Sequence, residues 1–227
     1  MESLRGLVLM SDAAAHSILV IFDFDNTLVD SRIRFADLRA ALIDLWATRA
    51  PLPVPRADLM RLPLRDIVGR ASDAAPDLHE PAWAIIEAFE AEGLAGAEAI
   101  PHARAVLEAL EARGVLLALL TNNARPATAA NLERLGLAPL LDLTVTRDEA
   151  GALKPDASGV RLILQHMGPV AAAYLVGDSW IDGLAADAAG IRFIGFGPRR
   201  AEVEARGVKA WAWIGDLREL LTLDLRP

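Results

Sequence analysis

Ile18-Leu-Val-Ile-Phe-Asp-Phe-Asp-Asn-Thr-Leu-Val-Asp30 is the segment around which the rest of the sequence is organised. The apolar run from Ile18 to Phe22 predicts a buried strand, and this strand leads directly into Asp23 and Asp25. If the backbone stays extended, the two carboxylates share one side, roughly 7 Å apart. Carboxylates placed so close repel each other unless a cation or a shared proton relieves them. The pair therefore indicates a hard divalent cation such as Mg²⁺, which prefers carboxylate oxygens and substrate phosphate.

The same segment has a second interpretation. Residues 23–30 can form a polar turn between a strand and a helix, with Asp30 or Ser31 as the residue that caps the helix. On these residues alone, both interpretations stand.

Length and composition limit the class of protein. A chain of 227 residues suits one sizeable α/β domain, or a core with a small insertion. The net charge of −8 argues against a general nucleic-acid or membrane-surface binder. The absence of cysteine excludes disulfides, thiolate metal sites and a cysteine nucleophile. No apolar run approaches the ~20 residues of a membrane span, so we expect a cytoplasmic protein without nucleic-acid or membrane partners.

Lysine is rare in this chain, whose basic residues are nearly all arginine. The only lysines are Lys154 and Lys209. A lysine kept in such a background indicates a place where a compact ammonium is needed rather than a planar guanidinium.

Periodicity divides the chain into three parts. Residues 1–17 are weakly patterned and predict a leader, within which Met10 is an alternative start. Helical periodicity then covers 33–48, 57–70 with an interruption at Pro63, and 81–92, and no strand is expected between residues 31 and 100. From Pro101 onward, predicted strands and helices alternate. Strands are expected over 115–120, 143–146, 173–176, 191–194 and 210–214, and helices over 101–113, 126–135, 157–167, 181–189 and from the cap residue Asp216 to 221. This alternation predicts an α/β fold with a parallel sheet.

Polar side chains follow several of these strands at the point where each strand ends. Asp23 and Asp25 follow the first strand, and Thr121 and Asn122 follow the strand over 115–120. Asp178 follows a later strand, and Asp182 comes shortly after it. The carboxyl ends of parallel strands share one sheet edge, so these groups are expected to converge, and Lys154 can join them from a loop. Carboxylates, an ammonium and a hydroxyl together suit a magnesium site that faces a phosphoryl group.

These residues resemble the motifs of the haloacid dehalogenase-like superfamily, and specifically of its phosphatases. The motif Asp-x-Asp-x-Thr stands at 23–27, the Thr that ends an apolar strand is Thr121, the Lys before a helix is Lys154, and Gly-Asp-Ser-x-x-Asp stands at 177–182. The resemblance is closest to phosphoglycolate phosphatases, although Asn26 stands where many of those have Gly. It implies a Rossmann-like parallel-sheet core over 1–30 and 101–227, and a small α-helical cap domain over 31–100.

The resemblance also implies a role for each motif residue. Asp23 is expected to be the nucleophile that forms an aspartyl-phosphate, and Asp25 the acid and base. Lys154 and Thr121 are expected to steady the transferring phosphoryl group, with Asn122 beside them as a substrate-binding residue. Magnesium is expected at Asp23, at Asp178 and at the backbone carbonyl of Asp25. Asp182 would lie near the metal or orient Lys154.

Each residue outside the first motif also has a purely structural interpretation. Thr121 can cap the turn formed by Asn122 and Asn123, and Lys154 can be a solvated loop residue. Asp178 and Asp182 can cap the helix that follows them. Four such coincidences would have to fall on one sheet edge, which favours the functional interpretation.

The predicted insertion bears on the substrate. In the family such a cap closes over the site and selects a small substrate. An arginine of this cap can bind a second anionic group, although most are expected to serve only solubility. The cap arginines are Arg32, Arg34, Arg39, Arg49, Arg56, Arg61, Arg65 and Arg70.

The sequence thus predicts a magnesium-dependent phosphatase for a small phosphorylated metabolite, acting as a monomer or homodimer. A sugar phosphomutase and a non-catalytic binding or regulatory protein on the same fold remain open alternatives.

Overall fold

The computed structural model describes residues 17–226. All but the last residue of the expected leader over 1–17, Met10 included, lies outside this range. The described chain divides into two compact units. We call residues 17–30 and 98–226 the core unit, and residues 31–97 the helical unit. Within the described range, no helix has the length and apolar character needed to cross a membrane.

The core unit is built on a six-stranded sheet in the order β5-β4-β1-β6-β7-β8, in which every neighbouring pair is parallel. The strands are β1 (Ile18–Phe22), β4 (Leu116–Leu120), β5 (Leu143–Val145), β6 (Ala172–Gly177), β7 (Arg192–Phe196) and β8 (Ala212–Ile214). Its helices are α5 (Ala103–Glu111), α6 (Arg125–Arg134), α7 (Ser158–Met167), α8 (Trp180–Ala189) and α9 (Arg200–Ala205), and 3₁₀ turns occupy Ala138–Leu140 and Leu217–Thr222. The predicted α/β fold with a parallel sheet is confirmed.

Strand β1 lies at the centre of the sheet because its side chains are apolar on both faces. It pairs with β4 on one side and with β6 on the other, and Leu19 through Phe22 are fully buried. Burial of each such side chain contributes roughly 1.5–3 kcal/mol, so this strand is a major source of the stability of the core. The carboxyl ends of β1, β4 and β6 therefore lie side by side at one edge of the sheet.

The segment after β1 is not extended, in contrast to the expectation for Asp23 and Asp25. The strand ends at Phe22, and Phe24 O then accepts hydrogen bonds from the N–H groups of Leu28 and Val29 at 3.1 and 2.9 Å. Asn26 adopts φ +57° in this tight turn, a left-handed conformation that Asn tolerates better than most residues. The turn thus accepts Asn26 in a backbone conformation that glycine would otherwise supply.

A small antiparallel pair follows this turn. Strand β2 (Val29–Asp30) pairs with β3 (Glu98–Ala99), which was not expected from the sequence. Because of this pairing, residues 98–100 lie in the core unit rather than in the insertion. Asp30 belongs to β2, and the next helix begins only at Phe35, so the helix-cap interpretation of Asp30 and Ser31 was wrong.

The helical unit consists of four helices and one 3₁₀ turn. They are α1 (Phe35–Ala47), α2 (Arg56–Leu59), α3 (Leu64–Ala74), the 3₁₀ turn Pro76–Leu78 and α4 (His79–Leu94). Helix α1 packs against α3 and α4, and its buried face includes Leu38, Leu42 and Trp46. The three predicted helical stretches thus fold around a small apolar core of their own.

Candidate active site

The carboxyl edge of the core sheet brings together the acidic residues that follow β1 and β6. Asp23, Asp178 and Asp182 are all buried, and each offers one carboxylate oxygen within 4.8 Å of those of the other two. The backbone holds two of the strand ends in register, since Asp23 N–H donates to Val176 O at 2.9 Å and Thr121 N–H donates to Val145 O at 3.0 Å. Convergence of the strand ends thus produces a buried acidic site.

Lys154 is the buried cation of this site. Its Nζ lies 2.5 Å from Asp23 Oδ1 and 2.7 Å from Asp182 Oδ1, and it donates to Leu120 O at 3.0 Å. The compact ammonium thus donates two hydrogen bonds, to Asp23 and Leu120, and forms an ion pair with Asp182. This arrangement gives a physical reason for a lysine in a chain that otherwise uses arginine.

Asn122 holds the backbone of Lys154 in place. Its Nδ2 donates to Lys154 O at 3.0 Å, and its Oδ1 accepts the N–H of Lys154 at 2.8 Å. Both polar groups of this side chain are therefore occupied by the Lys154 backbone. A direct role of Asn122 in substrate binding stays a prediction.

Asp182 has two partners, one for each carboxylate oxygen. Oδ1 pairs with Lys154, and Oδ2 accepts the N–H of Ser179 at 3.1 Å at the start of α8. The helix-cap interpretation and the functional interpretation therefore both apply to Asp182. Gly177 makes this position possible, because a Cβ there would lie 2.5 Å from Asp182 Cγ.

Thr121 caps the turn at the end of β4. Its side chain is fully buried, and Oγ1 accepts the N–H of Asn123 at 3.1 Å, as the turn-capping interpretation predicts. The hydroxyl keeps its own proton for a second acceptor.

Two contacts of the site were not found in the sequence. Asn123 Nδ2 donates to Oδ2 of the half-buried Asp25 at 2.8 Å. Arg199 Nη1 lies 3.2 Å from Asp178 Oδ2 and comes from the loop after β7, one more carboxyl end of the same sheet. The strand-end rule that located Asp178 could have located Arg199 as well, but Asn123 gives no signal beyond its position next to Asn122.

Burial and crowding raise the proton affinity of the carboxylates. Burial, followed by repulsion from Asp182, raises the pKa of Asp23 well above its usual range, and Lys154 opposes this. The same two causes raise the pKa of Asp178 to about 7, against the attraction of Arg199. Burial alone would lower the pKa of Lys154, but the carboxylates of Asp182 and Asp23 outweigh it and raise it. The site therefore has a deficit of positive charge.

The donor set fits a divalent cation. A hard cation such as Mg²⁺ binds carboxylate oxygens and relieves their repulsion. Asp182 already uses one oxygen for Lys154 and the other for the backbone, which leaves Asp23 and Asp178 as the better placed direct ligands. The other expected ligand, the backbone carbonyl of Asp25, stays a prediction.

Comparisons with known proteins agree with this geometry. The sequence profile of the haloacid dehalogenase-like hydrolase family matches residues 20–196. A phosphoglycolate phosphatase from Rhodospirillum rubrum is 34% identical over 218 residues, which cover 87% of this chain and 89% of the relative. One from Cereibacter sphaeroides is 31% identical over 81% of this chain and 88% of its own. A solved haloacid dehalogenase-like family hydrolase from Streptococcus pneumoniae shares the fold with a TM-score of 0.65, at 20% identity, over 91% of this chain and 97% of that chain. The chain belongs to the haloacid dehalogenase-like hydrolase family.

Proposed function

We propose that this hydrolase is a magnesium-dependent phosphatase that acts on a small phosphomonoester through an aspartyl-phosphate. The observation that carries the proposal is the contact of buried Lys154 with Asp23 and Asp182, with Asp178 beside them at the same sheet edge. Such a site can hold a phosphoryl group between a carboxylate nucleophile and positive charge.

The proposed reaction has two steps. An oxygen of Asp23 attacks phosphorus, the bond to the ester oxygen breaks, and Asp25 gives its proton to the departing alcohol. Asp25 then takes a proton from water, whose oxygen attacks phosphorus; the bond between phosphorus and the Asp23 oxygen breaks, which releases inorganic phosphate and restores the Asp23 carboxylate. Lys154 and the hydroxyl of Thr121 orient the phosphoryl oxygens. The hydrogen bond from Asn123 supports a fixed orientation of Asp25 in both steps.

Magnesium would be held by the carboxylates of Asp23 and Asp178 and by the backbone carbonyl of Asp25. When bound, the cation supplies positive charge that offsets the carboxylates and the phosphoryl oxygens. Asp182 would orient Lys154 from the other side, in line with its own two contacts.

The substrate proposed first is phosphoglycolate. Two relatives more than 30% identical over most of the chain are phosphoglycolate phosphatases by name, which supports this choice.

The helical unit is proposed to act as the cap that selects the substrate. Six of its eight arginines have acidic or backbone partners within that unit, whereas the structure gives no ion pair to the exposed Arg32 and Arg70 among the described residues. Arg32 and Arg70 are therefore the first candidates for a second anionic group of the substrate.

The remaining expectations are also proposals. A net charge of −8 and the absence of cysteine support a cytoplasmic enzyme that acts on a metabolite rather than on nucleic acid or membranes. We propose a monomer or a homodimer.

The test is release of inorganic phosphate from phosphoglycolate, sugar phosphates and nucleotides, with and without magnesium. Asp23→Asn is expected to abolish release, whereas Asp187→Asn, on the exposed side of α8, is expected to leave it unchanged. Acid-quenched enzyme should retain labelled phosphate unless Asp23 is replaced. Undiminished turnover by Asp23→Asn would refute the mechanism. Conversion of a sugar phosphate to its isomer without release would favour a phosphomutase.

A further inference from the structure

The cation that contacts Asp178 is Arg199 rather than Lys154. Lys154 reaches Asp23 and Asp182, whereas Arg199 Nη1 lies 3.2 Å from Asp178 Oδ2. The Asp178 side chain is only 8% exposed, and that of Arg199 is 44% exposed. The pair thus joins a fixed buried acid to a side chain that reaches in from solvent.

The backbone keeps Arg199 near this carboxylate. The loop from Gly197 to Arg199 follows the carboxyl end of β7, and Gly197 N–H donates to Ile214 O at 2.9 Å. The indole of Trp213 donates to Gly197 O at 2.8 Å. The loop backbone is therefore held by two hydrogen bonds, and the long side chain carries the partly exposed guanidinium from it to Asp178.

The charges of the site give Arg199 a specific task. Four carboxyl groups, those of Asp23, Asp25, Asp178 and Asp182, share the site with two cations, so two negative charges remain uncompensated when all four groups are ionised. A divalent cation would balance them, but it would also repel a guanidinium on the same carboxylate. Binding of the metal at Asp178 and pairing of Asp178 with Arg199 therefore compete.

We propose that Arg199 is a built-in counter-cation of the metal site, which neutralises Asp178 in the metal-free enzyme and yields that carboxylate to the divalent cation. This inference rests on the proposed function, because it requires magnesium at Asp178. Arg199 thereby sets how tightly the enzyme holds its metal. Because the guanidinium is partly exposed, moving it from Asp178 into water costs little free energy. The pair therefore stabilises the metal-free site without preventing the metal from binding.

The test is titration calorimetry with MgCl₂ alone on chelator-treated protein, without substrate. Arg199→Ala is expected to lower the Kd for Mg²⁺ about two- to tenfold, the effect of losing one partly exposed charge pair. Arg199→Gln, which keeps most of the side-chain volume, should give the same result. The matched control is Arg200→Ala, since Arg200 pairs only with Glu204 on α9 among the contacts the structure records, and its Kd should equal that of the unsubstituted protein.

Thermal unfolding gives a second readout. Without metal, Arg199→Ala should unfold at a temperature a few degrees lower than Arg200→Ala, and saturating Mg²⁺ should remove the difference. Unchanged or weaker Mg²⁺ binding by both Arg199 variants would overturn the inference and leave the phosphatase intact. If the unsubstituted protein binds no Mg²⁺, the metal assignment fails and the inference fails with it.

Discussion

At the scale of single residues, Lys154 is the most constrained side chain of the site. Its ammonium donates hydrogen bonds to Asp23 and to the carbonyl of Leu120 and pairs with Asp182 in a buried space, an arrangement that a larger planar guanidinium cannot reproduce. We expect Lys154→Arg to lower kcat about as much as Lys154→Ala, by roughly 100- to 1,000-fold. Steady-state kinetics on the preferred phosphomonoester would measure this. Near-normal kcat in Lys154→Arg would show that charge alone is enough.

Asn122 is expected to act through Lys154. Asn122→Ala removes both hydrogen bonds to the Lys154 backbone, so the ammonium loses its fixed position. A misplaced catalytic group costs rate, and kcat should fall about 10- to 100-fold while KM changes little. The control is Asn131→Ala, because Asn131 Nδ2 bonds only locally, to Ala127 O. A large rise in KM with normal kcat would instead support the substrate-binding role predicted from the sequence.

Most of the site residues could be predicted from the sequence, because polar residues directly after an apolar strand are easy to recognise. What the sequence could not resolve was how many contacts one side chain makes. Asp182 has both a structural and a site contact, and the sequence presents these as alternatives. Asn123 and Arg199 were missed because their partners, Asp25 and Asp178, are distant in sequence.

At the scale of elements, the buried strands were predictable and the short elements were not. Five-residue apolar runs such as β1 and β4 carry an unmistakable pattern. Strands β2 and β3 have two residues each, too few for any periodicity, and exist only because they pair with each other. Helix α5 begins at Ala103 rather than at Pro101 because His102 takes φ +69°, which no helix accommodates.

The helical unit depends on a close approach at the end of α4. A Cβ on Gly93 would lie 2.6 Å from the backbone of Ile33, whereas one on Gly69 in α3 would meet no atom within 4 Å. We expect Gly93→Ala to destabilise this unit by more than ~1 kcal/mol, and Gly69→Ala to stabilise it by about 0.5–1 kcal/mol. Hydrogen exchange of amides in α1 and α4, compared with β1, would locate both effects. Equal protection in the two variants would contradict the steric argument.

At the scale of the whole molecule, the sequence predicted the architecture because alternating strands and helices leave few topologies. The sheet order, with β1 between β4 and β6, follows the rule that apolar runs without alternation occupy the centre. The pKa values of the site carboxyl groups were not predictable from the sequence, because they depend on burial and on charges that only the fold brings together. Asp178 shows this, since its pKa is raised to about 7 by burial and by Asp182.

This raised pKa predicts how the stability of the metal-free protein depends on pH. Between the ordinary pKa of 3.8 and about 7, the native state holds a proton on Asp178 that the unfolded chain has released. The native state thus binds more protons, and the free energy of unfolding falls as pH rises through this range, by at most about 4 kcal/mol from this group. Asp23 contributes in the same direction, because its pKa is also raised.

Asp178→Asn isolates the contribution of Asp178. With a chelator present, the Tm of the unsubstituted protein should fall between about pH 5 and pH 8, and that of Asp178→Asn should fall less. The variant should therefore be the more stable protein at the alkaline end. Glu149, whose pKa is lowered to about 2 mainly by its hydrogen bond with Arg125, acts only at lower pH and cannot produce this difference. Parallel Tm curves for the two proteins would show that Asp178 ionises normally in the fold.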